Sequence, residues 1–218
     1  MLFLTVNDKI PNPPLYVKMI MTALLSILAV VLFCLNKKSK TRLYCMIAML
    51  LCSVGDVFMT NLFKIDSFAS LVIGASSFMA GHVFYGLMFM KLSKQAGGKV
   101  KNKGFVAGII FMLVTLAIQE ILGWTYPQEK NTMMLLLVPV YIALIGFHLS
   151  MAYSYGYKIK GVRGFLLPAS ITLFYATDVW IFLNMFNICN IEHLIWYFYP
   201  LGQLGIILLS TKIGKKSR

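Results

Sequence analysis

The sequence predicts an all-α protein, a polytopic transmembrane bundle of seven spans. Three observations support this. Of 218 residues, 59% are hydrophobic and only 12% are charged, against roughly 25% charged in a soluble domain. Seven stretches approach the ~20 apolar residues that a helix needs to cross a bilayer. The Lys and Arg residues fall unevenly between alternate links. So few charges cannot cover a globular surface in water. A soluble enzyme, a disordered chain and a secreted disulfide scaffold are therefore excluded.

The spans in order are Leu15–Leu35, Leu43–Phe63, Phe68–Met90, Phe105–Leu122, Met133–Tyr155, Phe165–Leu183 and His193–Leu209. Pro11-Asn12-Pro13-Pro14 gives a stiff entry to the first. Lys37-Lys38-Ser39-Lys40 separates the first and second, and Lys64-Ile65-Asp66 the second and third. Lys94–Lys103, the longest link, holds Gly97-Gly98, and Gln128–Asn131 is a brief turn. No stretch alternates with period two over strand length, so a β-barrel is not expected. Residues 1–14 read as an extracytoplasmic segment, without the basic n-region or cleavage site of a signal peptide. Residues 15–211 form one transmembrane domain, and residues 212–218 a basic cytoplasmic tail.

Sixteen basic residues and no acid lie in the links after spans one, three and five and in the tail; four basic residues lie on the other side. Lys/Arg excess in short links marks the cytoplasm, so the N-terminus is expected outside and the C-terminus inside. The net charge of +13 is thus mostly topology. Lys94–Lys103 is also suited to anionic head groups. A nucleic-acid partner is not expected, because these lysines occupy separate short loops with no aromatic interleaving. Cys34, Cys45, Cys52 and Cys189 have neither CxxC nor ligand spacing and read as packing residues.

Only two of seven acids, Asp56 and Asp178, lie deep within apolar stretches. An ionisable group at bilayer depth is costly, of order 2.5 kcal/mol or more, and marks a functional site by default. Each lies roughly 21–22 Å beyond the last basic residue before its span, at about 1.5 Å per residue. Equal depth predicts a shared site toward the outer half of the membrane. Span three adds His82 and Tyr85 on one face, with Gly74 and Gly81 for close helix approach. His82 is expected somewhat below the carboxylates. His193, Trp196, Tyr199 and Gln203 share a face of span seven, with Trp196 expected in an interfacial aromatic belt. Tyr175 lies one turn below Asp178, Ser53 and Thr60 share the face of Asp56, and His148 reads as a lone structural residue.

Span seven has no deep Lys for a Schiff base, and no GxSxG, HExxH or P-loop occurs. Three separated histidines do not make a metal site, which leaves only His82 with the two aspartates as an arrangement that could. A pair of buried carboxylates suits general acid–base chemistry. It equally suits a cation or proton site in a seven-helix transporter or receptor, and the matched Asp in spans two and six hints at a parallel repeat.

Gly55-Asp56 near the end of span two is followed by Gly74-Ala75-Ser76-Ser77-Phe78 and Gly81-His82-Val83-Phe84-Tyr85. Thr177-Asp178 precedes Leu183-Asn184-Met185-Phe186, and Tyr197–Gln203 closes the series. This order resembles the YhhN family of membrane proteins, which includes animal lysoplasmalogenases. The resemblance runs from about Leu15 to Leu209. Family members usually have eight spans, and Thr177 stands where Ser is commoner. The resemblance implies an ether hydrolase acting on the vinyl ether bond of a lysoplasmalogen drawn from the bilayer. The products are a fatty aldehyde and glycerophospho-ethanolamine or -choline. Asp56 and Asp178 would then be catalytic. His82, Tyr85, Tyr175, Asn184, Tyr199 and Gln203 would bind or orient substrate, and Gly55, Gly74 and Gly81 would pack helices. No metal or organic cofactor is implied, and the expected setting is a bacterial cell (inner) membrane.

Overall fold

A computed structural model describes residues 12–125, 132–159, 161–185 and 192–210. The N-terminal residues 1–11, the basic tail, the Gln128–Asn131 turn and Cys189 lie outside the described residues. Seven helices follow in order: α1 (Leu15–Cys34), α2 (Lys40–Met59), α3 (Ser67–Gln95), α4 (Lys103–Thr125), α5 (Thr132–Lys158), α6 (Val162–Met185) and α7 (Glu192–Ser210). All seven are long and apolar enough to cross a membrane, and no strand occurs among the described residues.

The helices differ from the apolar stretches mainly at their ends, where capping rather than hydropathy decides. Ser39 caps α2 by accepting from the Arg42 amide, so α2 begins three residues before the apolar run. Asp66 caps α3 through the Ala69 amide at 2.8 Å. α3 continues five residues past Met90 because its lysines extend beyond the apolar layer without breaking the helix. It ends at Gln95 with Ala96 as its cap, followed by Gly97 and Gly98 with φ of +83° and +67°, a left-handed backbone that only glycine adopts freely.

Packing closes a ring of six helices. α1 packs on α2, α2 on α3, α3 on α5, α5 on α6, α6 on α7, and α7 back on α1; α4 lies outside the ring against α5. α2 and α3 approach closely through the three glycines expected to pack helices. A Cβ on Gly55 would meet the Phe78 ring at 2.8 Å, one on Gly74 the Met59 side chain at 2.9 Å, and one on Gly81 the Cys52 sulfur at 2.9 Å. Without a hydrophobic driving force between helices in lipid, such close backbone packing supplies much of the association energy.

The basic links gather at one end of the bundle, where they cap helix C-termini. The Arg42 guanidinium donates to the Leu32 carbonyl in the last turn of α1 at 2.8 Å. Lys158 Nζ donates to the Ser93 carbonyl in the last turn of α3 at 2.7 Å, and the Arg163 guanidinium to Leu209 in the last turn of α7. Cations are favourable at these ends of the helix dipole, typically by 0.3–1 kcal/mol. The basic residues therefore have a structural role as well as the topological one expected of them.

Candidate functional site

Every helix of the ring contributes to a polar network in its interior. On α1, Lys18, Thr22 and Ser26 recur at intervals of four, which places them on one face. Thr22 Oγ1 donates to Asp56 Oδ2, and the Tyr199 hydroxyl donates to the same oxygen at 3.0 Å. Below them Ser26 and Ser53 pair through their hydroxyls, and Ser53 donates back to the Met49 carbonyl at 2.9 Å. Among the described residues, Thr60 Oγ1 donates to backbone carbonyls, of Asp56 and Val57. The Tyr199 ring is held edge-on by Phe78 at 6.3 Å and lies 5.5 Å from Phe174.

Trp196, expected in an interfacial aromatic belt, is turned into the bundle. It is buried, with the Lys18 ammonium 5.0 Å from its ring centroid and Tyr199 beside it at 6.1 Å. A cation over the negative face of an indole is attractive, and the α1–α7 contact brings the two together.

Asp178, on α6, has a separate set of partners. The Tyr141 hydroxyl donates to Oδ1 at 3.1 Å, and His82 Nε2 faces Oδ2 at 3.4 Å. The other nitrogen of that imidazole, Nδ1, lies 3.1 Å from Nδ1 of His148. The rings are held by stacking: His82 on Phe174 at 5.1 Å, and His148 against both Tyr85 (5.1 Å) and Phe89 (5.7 Å).

Two expectations are corrected here. His82 is level with Asp178 rather than below it, because α3 runs on to Gln95 and Lys91 does not mark its end. His148 is not a lone polar residue; it is the second imidazole of a buried pair.

Beside Asp178 lies a cleft walled by α3, α4, α5 and α6, with Met59 of α2 at its edge; about 900 Å³ of non-atom space lies in and in front of it, open solvent included. Its wall is almost wholly apolar, with Phe78, Ile118, Ile142 and Ile145 among the lining residues. A few polar groups break it: Asp178, Tyr141, Gln119, Thr115 and Tyr175. Among the described residues, Asp178 Oδ2 and Gln119 Oε1 are buried without a hydrogen-bond partner. Tyr175 lines the cleft beside Asp178, its hydroxyl held by Thr115 and by the Phe111 carbonyl.

The remaining expected site residues divide. Asp56 is not on this wall; it stands one layer behind, reached through Phe78 and Tyr199. The two carboxylates thus occupy one interior but not one cavity wall. Tyr85 donates to Gln203 Oε1 at 2.6 Å, fully buried, so these two bind each other across α3 and α7 rather than facing the cleft. Asn184 is half-buried near the end of α6, outside the lining of the cleft. Among the described residues, no three His, Cys, Asp or Glu side chains are grouped to hold a metal ion.

Sequence reasoning missed Lys18 and Thr22 on α1 and Tyr141 on α5. A signal existed. Lys18, Thr22 and Ser26 form a polar stripe in an otherwise apolar span, and Tyr141 and His148 stand seven apart on one face.

A closed ring of apolar helices around an acid–imidazole network defines a class: an integral, multi-pass membrane protein with ionisable groups inside its bundle. The chain belongs to the YhhN family, whose family model matches residues 14–210. No curated protein and no solved structure matches this chain.

Proposed function

We propose that this chain is a lipid-metabolising hydrolase that cleaves the vinyl ether bond of lysoplasmalogens. The products are a fatty aldehyde and glycerophosphoethanolamine or glycerophosphocholine. The observation that carries the reading is the position of Asp178. It is a carboxyl in the wall of an apolar cleft, with one oxygen held by Tyr141 and the other facing His82. A single-chain lipid needs such a cleft, and no helix other than α5 packs extensively on α4, which leaves apolar seams beside α4 for lateral entry from the bilayer. On this reading the site lies in the outer half of a bacterial cell membrane.

The chemistry follows from the groups present. Asp178 gives its proton to the β-carbon of the vinyl ether, and the π pair of the C=C bond forms the new C–H bond. The α-carbon becomes an oxocarbenium ion. Water adds to that carbon and returns a proton to the Asp178 carboxylate. The hemiacetal then collapses to aldehyde and the free glycerol hydroxyl, so one water is consumed and no redox partner is needed. His82, backed by His148, positions Asp178 and exchanges protons with it. Asp56, fixed by Thr22 and Tyr199, adds negative potential behind the cleft as positive charge develops. General acid–base participation of this kind is worth about 10²–10⁴-fold.

The test is aldehyde release by purified protein from a lysoplasmalogen, compared with fatty-acid release from an ester lysolipid. Aldehyde only is expected, with loss in Asp178→Asn. Full aldehyde release by both Asp56→Asn and Asp178→Asn would sink the carboxylate mechanism.

A further inference from the structure

α4 lies outside the ring and turns large apolar side chains outward, Val106, Ile110, Leu113, Val114 and Ile121 among them. Gln119 breaks that pattern. It is only 6% exposed, and it lines the cleft beside Asp178. Among the described residues its carboxamide oxygen has no hydrogen-bond partner. A polar atom buried unpaired is unfavourable, and the more so where lipid rather than water lies outside. The acid–base steps at Asp178 make no use of this residue.

Contacts along the helices fix its level. α4 is antiparallel to α5: a Cβ on Gly104 would meet Tyr153, one on Gly108 Ser150, and one on Gly146 of α5 the Met112 side chain. α6 is antiparallel to α5 as well, through the pairs Tyr153–Thr172 and Tyr141–Asp178. α4 and α6 therefore run in the same direction, and the Thr115 and Tyr175 hydroxyls meet between them. Gln119 is four residues beyond Thr115, and Asp178 is three beyond Tyr175. At about 1.5 Å per residue their levels differ by about 1.5 Å. Thr115, Ile118 and Gln119 share one face of α4, and all three line the cleft. The unpaired carboxamide and the catalytic carboxyl thus stand at one depth in the same cleft, on different helices.

Resting on the vinyl ether reading, we propose that Gln119 is a specificity-determining residue that holds the free 2-hydroxyl of the substrate's glycerol. In a lysoplasmalogen that hydroxyl is five bonds from the β-carbon that Asp178 protonates, so one molecule engages both residues. A carboxamide suits it. The hydroxyl donates to Oε1 or accepts from the amide nitrogen, and it has no charge to desolvate. A phosphate would call for a cation, and the residues lining the cleft include none. An ester at the same carbon removes the donor and adds a second chain, so a diradyl lipid is disfavoured. A site that hydrogen-bonds a hydroxyl rejects the analogue lacking it, because its own polar group is then left unpaired.

The experiment uses the full chain in detergent and four lipids. These are 1-alkenyl and 1-alkyl glycerophosphocholines, each as the 2-hydroxyl and the 2-deoxy compound. The alkyl ethers have no double bond to protonate, so they read binding alone, through the rise of the unfolding midpoint with lipid mole fraction. The unaltered chain is expected to bind the 2-hydroxyl alkyl ether about 10–100-fold more tightly than the 2-deoxy one. The same preference is expected in kcat/KM for aldehyde release from the alkenyl pair. Gln119→Met, similar in length and without a strong hydrogen-bonding group, should abolish both preferences. If Gln119→Met does not fold, Gln119→Asn, which withdraws the carboxamide by one methylene, should shrink them. Equal binding of the two alkyl ethers by the unaltered chain overturns the proposal, as does a preference that survives undiminished in these variants. A loss by the same factor on both alkenyl lipids also overturns it, since Gln119 would then be holding the attacking water. If the binding preference appears and vanishes as expected while no aldehyde forms, Gln119 keeps its role and only the hydrolase reading fails.

Discussion

The Nδ1 atoms of His82 and His148 face each other at 3.1 Å, buried at the contact of α3 and α5. Two bare lone pairs would repel at that distance, and two N–H groups would clash, so one ring donates and the other accepts. With Asp178 ionised, before it takes up the proton it later gives to substrate, its oxygen facing Nε2 of His82 decides which. It prefers an N–H there, which makes His82 Nδ1 the acceptor and His148 Nδ1 the donor. A proton passed from His82 to Asp178 is then replaced by one from His148.

This assignment is testable because the chain has only three histidines. Nitrogen NMR of histidine-labelled protein in detergent should show one Nε2–H tautomer, lost in His82→Gln, and one Nδ1–H tautomer, lost in His148→Gln. Finding both rings as ordinary Nε2–H tautomers would refute the shared proton. In aldehyde release, His148→Leu should cost about 10–100-fold in kcat, below the full contribution of a general acid because Asp178 itself remains.

Asp56 depends on two hydroxyls that converge on one oxygen, from Thr22 and Tyr199. Removing either, by Thr22→Val or Tyr199→Phe, should destabilise the bundle by about 1.5–3 kcal/mol, the range for hydrogen bonds to a charged group. Sharing an acceptor makes them interdependent, so the double variant should not show the sum of the single effects. Equilibrium unfolding of the three variants in mixed micelles reads this directly. Additive effects would mean that the hydroxyls do not act on Asp56 as a unit.

Much of the fold was legible because its determinants are written in single residues. Each helix needs an apolar run, and most runs are bounded by Lys, Pro or Gly. Which helices touch is a different kind of information. The closure of the ring by α1 on α7, and the exclusion of α4 from it, depend on pairwise complementarity that no one span displays. The site divides along the same line. Asp56, Asp178 and His82 stood out because charge in an apolar span is costly wherever it points. Thr22 and Tyr141 are cheap in a membrane helix, and only the partner across the interface gives them a role. Tyr85 and Gln203 show the reverse: both looked available to a substrate, and each is occupied by the other.

Close packing of α2 on α3 makes a sharp prediction at Gly81. An added methyl would meet Cys52 Sγ at 2.9 Å and the Ala48 carbonyl at 3.2 Å. A sulfur can turn aside, but the carbonyl belongs to the helix and cannot. Gly81→Ala should therefore destabilise by about 1–3 kcal/mol through overpacking. Gly97→Ala has open space around its Cβ but a left-handed φ of +83°, so it should cost only about 1 kcal/mol, as backbone strain. Unfolding midpoints for the two variants check the order, and a larger loss at Gly97 would contradict the packing account.

The cleft beside Asp178 should also set which chain lengths are accepted. Ile142 lines it from α5, and Ile142→Trp would fill part of its volume while leaving Asp178, Tyr141 and His82 in place as residues. Each methylene denied burial loses about 0.8 kcal/mol. A tryptophan that displaces about three methylenes would thus remove about 2.4 kcal/mol, roughly a fiftyfold loss in kcat/KM for a long alkenyl chain. A chain short enough to clear the new ring should keep its rate, so the measurement is the ratio of long- to short-chain kcat/KM. Phe78→Ala should act in the opposite sense, enlarging the cleft toward Tyr199 and Asp56. If both variants lowered long- and short-chain rates by the same factor, the cleft would not be holding the alkenyl chain.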